Sequence, residues 1–133
     1  MDYKEEFTQL IEENRLDDAR ILLEKHKLYA SEEPFYYGNM GWILNHMERY
    51  QEAEVFLRKG LVYFPEDGWI YSQLGFSLDR QGNIRDGLDA LLKALELGFD
   101  EPWLHGEIGW CYKELGNLKD AITYFENGLL DDE

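Results

Sequence analysis

The sequence is poor in residues that several classes of protein require. It contains a single cysteine, which excludes an internal disulfide and fits a reducing compartment. Its 13 lysine and arginine residues stand against 28 aspartate and glutamate residues, which gives a formal charge of −15. Such an acidic domain repels phosphate backbones, so the charge argues against nucleic-acid binding and favours a neutral or basic partner.

Long apolar runs are also missing from the chain. No segment reaches the roughly 18 consecutive apolar residues that a membrane-spanning helix needs. The first four residues do not resemble the start of a signal peptide, and no linker or low-complexity segment interrupts the sequence. We therefore expect one domain over residues 1–133, no membrane association and a cytoplasmic location.

Catalytic and metal-binding patterns are equally scarce. His26, His46 and His105 lack the spacing of metal ligands, such as two histidines on adjacent helical turns. Cys111 has no neighbouring histidine that would activate it as a nucleophile. There is no glycine-rich phosphate loop, and no pair of carboxylates stands out. We predict no enzyme activity, no cofactor and no metal site.

What the sequence does contain is a repeat with a period of about 34 residues. The period relates three glycines, a set of small residues and a set of large apolar residues: Gly41, Gly75 and Gly109; Ala19, Ala53, Gly87 and Ala121; Leu23, Leu57, Leu91 and Phe125. Short turns fall between these marks, at Asn14-Arg15, Glu48-Arg49, Gly82-Asn83 and Gly116-Asn117. Each unit is therefore predicted to form a helix, a turn and a second helix. A two-helix unit cannot bury its apolar face alone, so the units must stack into a solenoid.

The coarse pattern predicts eight helices, near residues 2–13, 17–29, 33–47, 51–64, 67–81, 84–97, 101–115 and 118–130. Pro34 and Pro102 fall in a first helical turn, where the missing N–H costs little. Acidic residues cluster where first helices begin, for example Glu66-Asp67, and complement the helix dipole there.

On these marks the chain resembles the tetratricopeptide repeat family. In residues 34–67 the family's slots hold Tyr37, Met40, Gly41, Ala53 and Pro65. Residues 68–101 and 102–133 match in the same way, with His105 at an aromatic slot as a core-lining substitute for tyrosine. Residues 1–33 match only in part, as expected of an end repeat. The resemblance implies an all-α, right-handed α-solenoid of four repeats that binds a protein or an extended peptide without catalysis.

Two aromatic slots recur in three of the repeats. They hold Phe35 and Trp42, Trp69 and Phe76, and Trp103 and Trp110. The two members of each pair are seven residues apart, or two helical turns, so both rings share one helix face. A small residue lies between the members of each pair: Gly38, Ser72 or Gly106.

The resemblance also implies which residues face a ligand, because first helices line the concave groove in this family. The predicted binding residues are Phe35, Asn39, Trp42, Asn45, His46, Trp69, Phe76, Arg80, Trp103, Trp110 and Lys113. The rings would anchor a peptide, and glycines between them would let its backbone approach closely. The alternative is that the rings stack on one another and on the neighbouring helix, and only set the curvature.

Three further readings follow from the resemblance. A clamp for a C-terminal carboxylate is disfavoured, because its slots hold Lys4, Thr8, Asn39, Trp69 and Gln73, of which only Lys4 and Asn39 fit. No extra polar helix covers the last repeat. This absence predicts either a fragment of a longer protein or a homodimer through the C-terminal edge, at Leu118, Ile122 and Leu129. A small-molecule sensor with a closed pocket is the third reading.

Overall fold

The computed structural model describes residues 2–27 and 33–131, and these residues form eight α-helices and no strand. The helices are α1 Tyr3–Glu12, α2 Leu16–Lys25, α3 Pro34–His46, α4 Tyr50–Tyr63, α5 Gly68–Arg80, α6 Ile84–Glu96, α7 Pro102–Glu114 and α8 Leu118–Asp131. The predicted all-α solenoid of helix-turn-helix units is confirmed.

Helices that are neighbours in sequence pack as antiparallel pairs: α1 with α2, α3 with α4, α5 with α6, and α7 with α8. First helices also pack on the first helix of the next unit, as α3 does on α5. The second helix was predicted to extend to residue 29, but α2 ends at Lys25 with His26 as its C-cap. Residues 28 and 29 lie outside the described ranges.

The turn within each helix pair places one residue in the left-handed backbone region. These residues are Asn14 (φ 57°), Glu48 (φ 60°), Gly82 (φ 90°) and Gly116 (φ 84°). They occupy the same position in each of the four units, at the predicted turns. Glycine adopts this conformation freely, whereas a residue with a Cβ is strained in it.

The recurring glycine of the first helix lets the two helices of a unit approach closely. A Cβ on Gly41 would lie 2.3 Å from the side chain of Leu57, and one on Gly75 would lie 2.6 Å from Leu91. The equivalent slot of α1 holds Phe7, which is itself buried. The glycines that mark the period are therefore sites of helix–helix contact.

Helix starts follow the sequence pattern. The Asp67 carboxylate accepts a hydrogen bond from the Ile70 N–H at 2.9 Å, which caps α5. Pro34 and Pro102 stand in the first turns of α3 and α7.

His105 is buried in the core. Its Nε2 lies 2.6 Å from an Asp100 carboxylate oxygen, and its ring stacks on Tyr124. The prediction that His105 lines the core in place of a tyrosine is confirmed.

Candidate functional site: an aromatic groove on the first helices

A groove crosses the first helices of the solenoid. It consists of two adjoining cavities, of about 220 Å³ and about 320 Å³. Both cavities are lined by Trp42, Gln73 and Trp103. Every residue that lines them belongs to α1, α3, α5 or α7, so the groove is a surface of first helices, as the sequence predicts.

The two cavities differ in their remaining walls. The first extends toward α1 and is completed by Phe7, Thr8, Ile11, Asn39 and Trp69. The second extends toward the C-terminal ends of the first helices and is completed by His46, Phe76 and Glu107. The first cavity therefore combines apolar side chains with a hydroxyl and two amides, and the second combines rings with a carboxylate.

Phe35 packs between helices and lines neither cavity. Its ring centre lies 5.5 Å from that of Phe7 and 5.7 Å from that of Tyr3, edge to face in both cases. The ammonium of Lys4 lies 5.0 Å from the same ring centre and pairs with Glu33 at 2.6 Å. Phe35 thus joins α1 to α3, which is the structural role that the sequence left open.

Trp69 occupies the space above Gly38. A Cβ on Gly38 would lie 2.3 Å from Cζ3 of the Trp69 ring. The gap expected at Gly38 for a ligand backbone is therefore filled by the next repeat, and that expectation is corrected. Gly106, in the equivalent slot, is different, because a Cβ there would meet no described atom within 4 Å.

Trp103 and Trp110 are the more exposed rings, at 40% and 43%. Trp103 meets Phe99 edge to face at 6.0 Å and lines both cavities. Trp110 lines neither of the two, and the ammonium of Lys113 lies 4.8 Å from the centre of its ring. Trp110 and Lys113 therefore lie beyond the groove walls.

Asn45 does not face the groove, which corrects its predicted role as a ligand contact. It is only 2% exposed. Its Nδ2 donates to the carbonyl oxygen of Gln73 at 3.1 Å, and its Oδ1 accepts from the Ser77 hydroxyl at 2.6 Å. Both partners lie on α5, so this amide ties one repeat to the next.

Asn39 and His46 stand at the groove wall, and each bonds to its own helix. The Asn39 Nδ2 donates to the carbonyl oxygen of Phe35 at 2.9 Å. The His46 Nδ1 lies 2.9 Å from the carbonyl oxygen of Trp42, which places the proton on Nδ1. The imidazole ring centre lies 3.8 Å from the indole of Trp42. His46 therefore supports Trp42 from the solvent side.

Arg80 contacts two residues that line the second cavity, Phe76 and Glu107. Its guanidinium lies 4.2 Å from the ring centre of Phe76, pairs with Asp79 and reaches the Glu107 carboxylate at 3.0 Å. The Asp79 side chain is buried, and burial raises the pKa of its carboxyl. The cation is thus engaged by two carboxylates and an aromatic ring of its own chain.

Comparison with known proteins identifies the repeat. Residues 36–62 and residues 104–129 match two family models, each described as tetratricopeptide repeat. These two segments of the chain carry tetratricopeptide repeats. No curated protein matches the chain.

Solved structures of MamA share this tetratricopeptide fold. The chain superposes on the MamA RS-1 ArsTM double mutant with a TM-score of 0.81 and 19% identity, covering 98% of this chain and 73% of that one. A crystal structure of MamA gives 0.79 and 19%, with 95% and 74% coverage. MamA MSR-1 C2 gives 0.72 and 23%, with 92% and 71% coverage. At this identity the likeness establishes the fold.

Five groove residues are absent from the predicted set: Phe7, Thr8, Ile11, Gln73 and Glu107. Gln73 and Glu107 lie one and two periods after Asn39, so they share its slot in the tetratricopeptide unit. Thr8 likewise lies one period before Trp42. The repeat register of Asn39 and Trp42 therefore predicts all three positions.

The described residues offer little other chemistry. They hold no group of three or more His, Cys, Asp or Glu side chains placed to bind a metal. Within residues 2–27 and 33–131, no helix has both the length and the apolar character needed to span a bilayer. Cys111 is buried, and burial raises the pKa of its thiol to about 12. This thiol stays protonated at neutral pH and is a poor nucleophile.

Proposed function

We propose that this tetratricopeptide array binds an extended protein segment, neutral or basic in charge, along the groove of its first helices. The observation that carries the proposal is the pair of adjoining cavities that share Trp42 and Trp103. Aromatic side chains bury a large area at a small cost in conformational entropy, and they dominate many interfaces. The role is one of binding, without catalysis.

The shape of the groove favours a chain over a small molecule. Pockets for small ligands enclose most of the ligand surface. Here both cavities open to solvent and continue into one another across α1, α3, α5 and α7. An extended segment can contact several helices at once, and a stacked solenoid is already ordered before the segment docks.

The proposed contacts differ from the set predicted by sequence. Trp42, Trp69, Phe76 and Trp103 supply the apolar walls. Polar groups of the walls come from Asn39, His46, Gln73 and Glu107. The proposed contacts do not include Phe35, Asn45, Trp110 or Lys113. Arg80 contributes through its ion pair with Glu107.

Charge supports the preference for a neutral or basic segment. The chain carries a formal charge of −15, so its field attracts cations and slows the approach of anionic segments. Within the groove, the Glu107 carboxylate lines the second cavity beside Phe76 and Trp103. A lysine or arginine of the segment would meet both rings there and would share this carboxylate with Arg80.

The test is a selection of peptides from a random displayed library on the full chain, followed by calorimetry with the selected peptides. Trp42→Ala and Trp103→Ala should each weaken binding by about tenfold or more, because each removes a shared wall of both cavities. Trp110→Ala is the matched control and should bind as the wild type does. Peptides that bind all three variants equally would refute the groove, provided that thermal unfolding shows each variant folded.

We also propose that the chain self-associates through its C-terminal repeat. The specific support is the exposure of Leu118, Ile122 and Leu129 on α8, which lie together on one side of the helix. Light scattering over a concentration series tests this property. A molar mass that stays at that of the monomer would contradict it.

A further inference from the structure

The side of α8 that adjoins its contact with α7 carries a stripe of apolar side chains with the spacing of a coiled-coil seam. One member, Phe125, also packs on α7, where a Cβ on Gly109 would lie 2.9 Å from its ring. Leu118, Ile122, Phe125 and Leu129 are 61%, 57%, 38% and 71% exposed. They are separated by four, three and four residues, which is the alternation of the d and a positions of a heptad. We name these four residues the α8 stripe. Its spacing suits contact with another α-helix.

The opposite end of the solenoid does not offer a matching surface. The α5 residues that meet the preceding repeat include Ile70, which contacts the Gly60 region, as well as Gln73 and Ser77. Two periods earlier, the same slots of α1 hold the exposed polar residues Asp2, Glu5 and Gln9. A head-to-tail contact would set these polar groups against the α8 stripe, so we exclude it as the covering surface.

The two flanks of the α8 stripe differ. On one flank Ala121 is buried, and Gly128 faces α7, with the position of its absent Cβ lying 3.2 Å from the Pro102 carbonyl oxygen. On the other flank Lys119 and Glu126 are both exposed. They are seven residues apart, two turns of the helix, and are therefore too distant to pair with each other.

We propose that α8 pairs with α8 of a second copy in antiparallel orientation. In that orientation the charged flank of one helix adjoins the charged flank of the other. Lys119 of each copy then faces Glu126 of the other, so two ion pairs form by symmetry. A parallel pair would set each charged flank against the neutral flank of Ala121 and Gly128, and it would gain neither ion pair.

The same orientation fills the apolar layers. Ile122 meets Phe125 of the other copy at the centre, and Leu118 meets Leu129 at both ends. Beside Leu129 lies an open hollow of about 640 Å³, lined also by Trp103, Gly106 and Phe125. Leu118 of the second copy enters this hollow, in the direction from which no atom of the described chain covers Gly106. This pairing rests on the proposed self-association through the C-terminal repeat.

Sedimentation velocity over a concentration series with the full chain tests the pairing. Lys119→Glu alone, or Glu126→Lys alone, sets like charges against each other at both ends and should weaken the dimer roughly three- to tenfold. The double reversal, Lys119→Glu with Glu126→Lys, restores opposite charges across the interface and should recover the wild-type constant. Arg85→Glu, exposed on α6, is the control for a change of charge alone.

The outcomes separate the two proposals. A wild-type chain that stays monomeric overturns both self-association and the antiparallel pair. A dimer that Ile122→Glu leaves unchanged overturns the C-terminal edge as its interface. A dimer that depends on Ile122, but is not recovered by the double reversal, keeps the edge and overturns the antiparallel orientation. Recovery by the double reversal, with no effect of Arg85→Glu, supports the pairing as proposed.

Discussion

The N-terminal and C-terminal halves of this solenoid use equivalent residues for different purposes. Gly38 and Gly106 stand in the same slot of the repeat, two periods apart. The ring of Trp69 covers Gly38, whereas no atom within 4 Å would meet a Cβ on Gly106. Gly38 thus makes room for an aromatic ring of the next repeat. At Gly106 no ring fills this space, and the surface is open to other occupants.

The rings follow the same division. Phe35 is enclosed by Tyr3 and Phe7, while Trp103 and Trp110 are 40% and 43% exposed. Equal spacing in the sequence therefore does not mean equal function. Phe35 contributes to the folded core, whereas Trp103 and Trp110 are available for contact with another molecule.

The largest expected difference is between Trp69, which covers a glycine of the N-terminal half, and the exposed Trp110. Trp69→Ala should lower the free energy of unfolding by roughly 2 to 3 kcal/mol, because the ring packs on Gly38 and leaves a cavity when removed. Trp110→Ala should change it by no more than about 0.5 kcal/mol, since that ring is an exposed surface group. Urea unfolding followed by circular dichroism measures both. Equal losses would remove the distinction between covered and exposed rings.

A smaller difference in the free energy of unfolding is expected when Gly38 and Gly106 are each replaced by alanine. Gly38→Ala should cost about 1 to 2 kcal/mol, because the added methyl overlaps the Trp69 ring and outweighs the better helix propensity of alanine. Gly106→Ala meets open space and should stabilise the chain by up to about 1 kcal/mol. Thermal unfolding of the two variants side by side gives the comparison. A stabilised Gly38→Ala would mean that Trp69 has another low-energy position.

The turns also differ between the two halves, because a residue with a Cβ holds the left-handed position in the N-terminal half and glycine holds it in the C-terminal half. The effect expected on the free energy of unfolding is the smallest of the three. Glu48 holds the left-handed backbone position that Gly82 holds in the next unit. Glu48→Gly should therefore raise the free energy of unfolding by about 1 kcal/mol or less, and Gly82→Ala should lower it by a similar amount. A Cβ on Gly82 meets no atom within 4 Å, so its effect comes from the backbone alone. Two changes of the same sign in the denaturation midpoint would contradict this account.

Much of the fold was predictable, because each repeat makes the same contacts between its own two helices. The turn positions, the glycine that admits Leu57 or Leu91, and the core role of His105 all involve residues within one unit. Local periodicity carries that information directly. The groove was predictable as a set of first helices, because the resemblance to the family places first helices on the concave side.

The membership of the groove was less predictable, because it depends on contacts between repeats. Asn45 has the sequence position of an exposed polar residue, yet its amide is bonded to Gln73 and Ser77 on the next first helix. Gln73 and Glu107 enter the groove from the slot of Asn39, where only Asn39 was predicted. No single repeat shows which of its outward side chains the next repeat will cover.

The sequence by itself determined the period, the all-helical class and the helix-turn-helix unit, because these arise from contacts that recur in every repeat. The tertiary structure alone decided which aromatic rings are covered and which remain open. That outcome depends on pairs such as Gly38 and Trp69, which belong to successive repeats and meet only when the two repeats stack. The ring supplies the bulk and the glycine supplies the space, so neither residue alone predicts the contact.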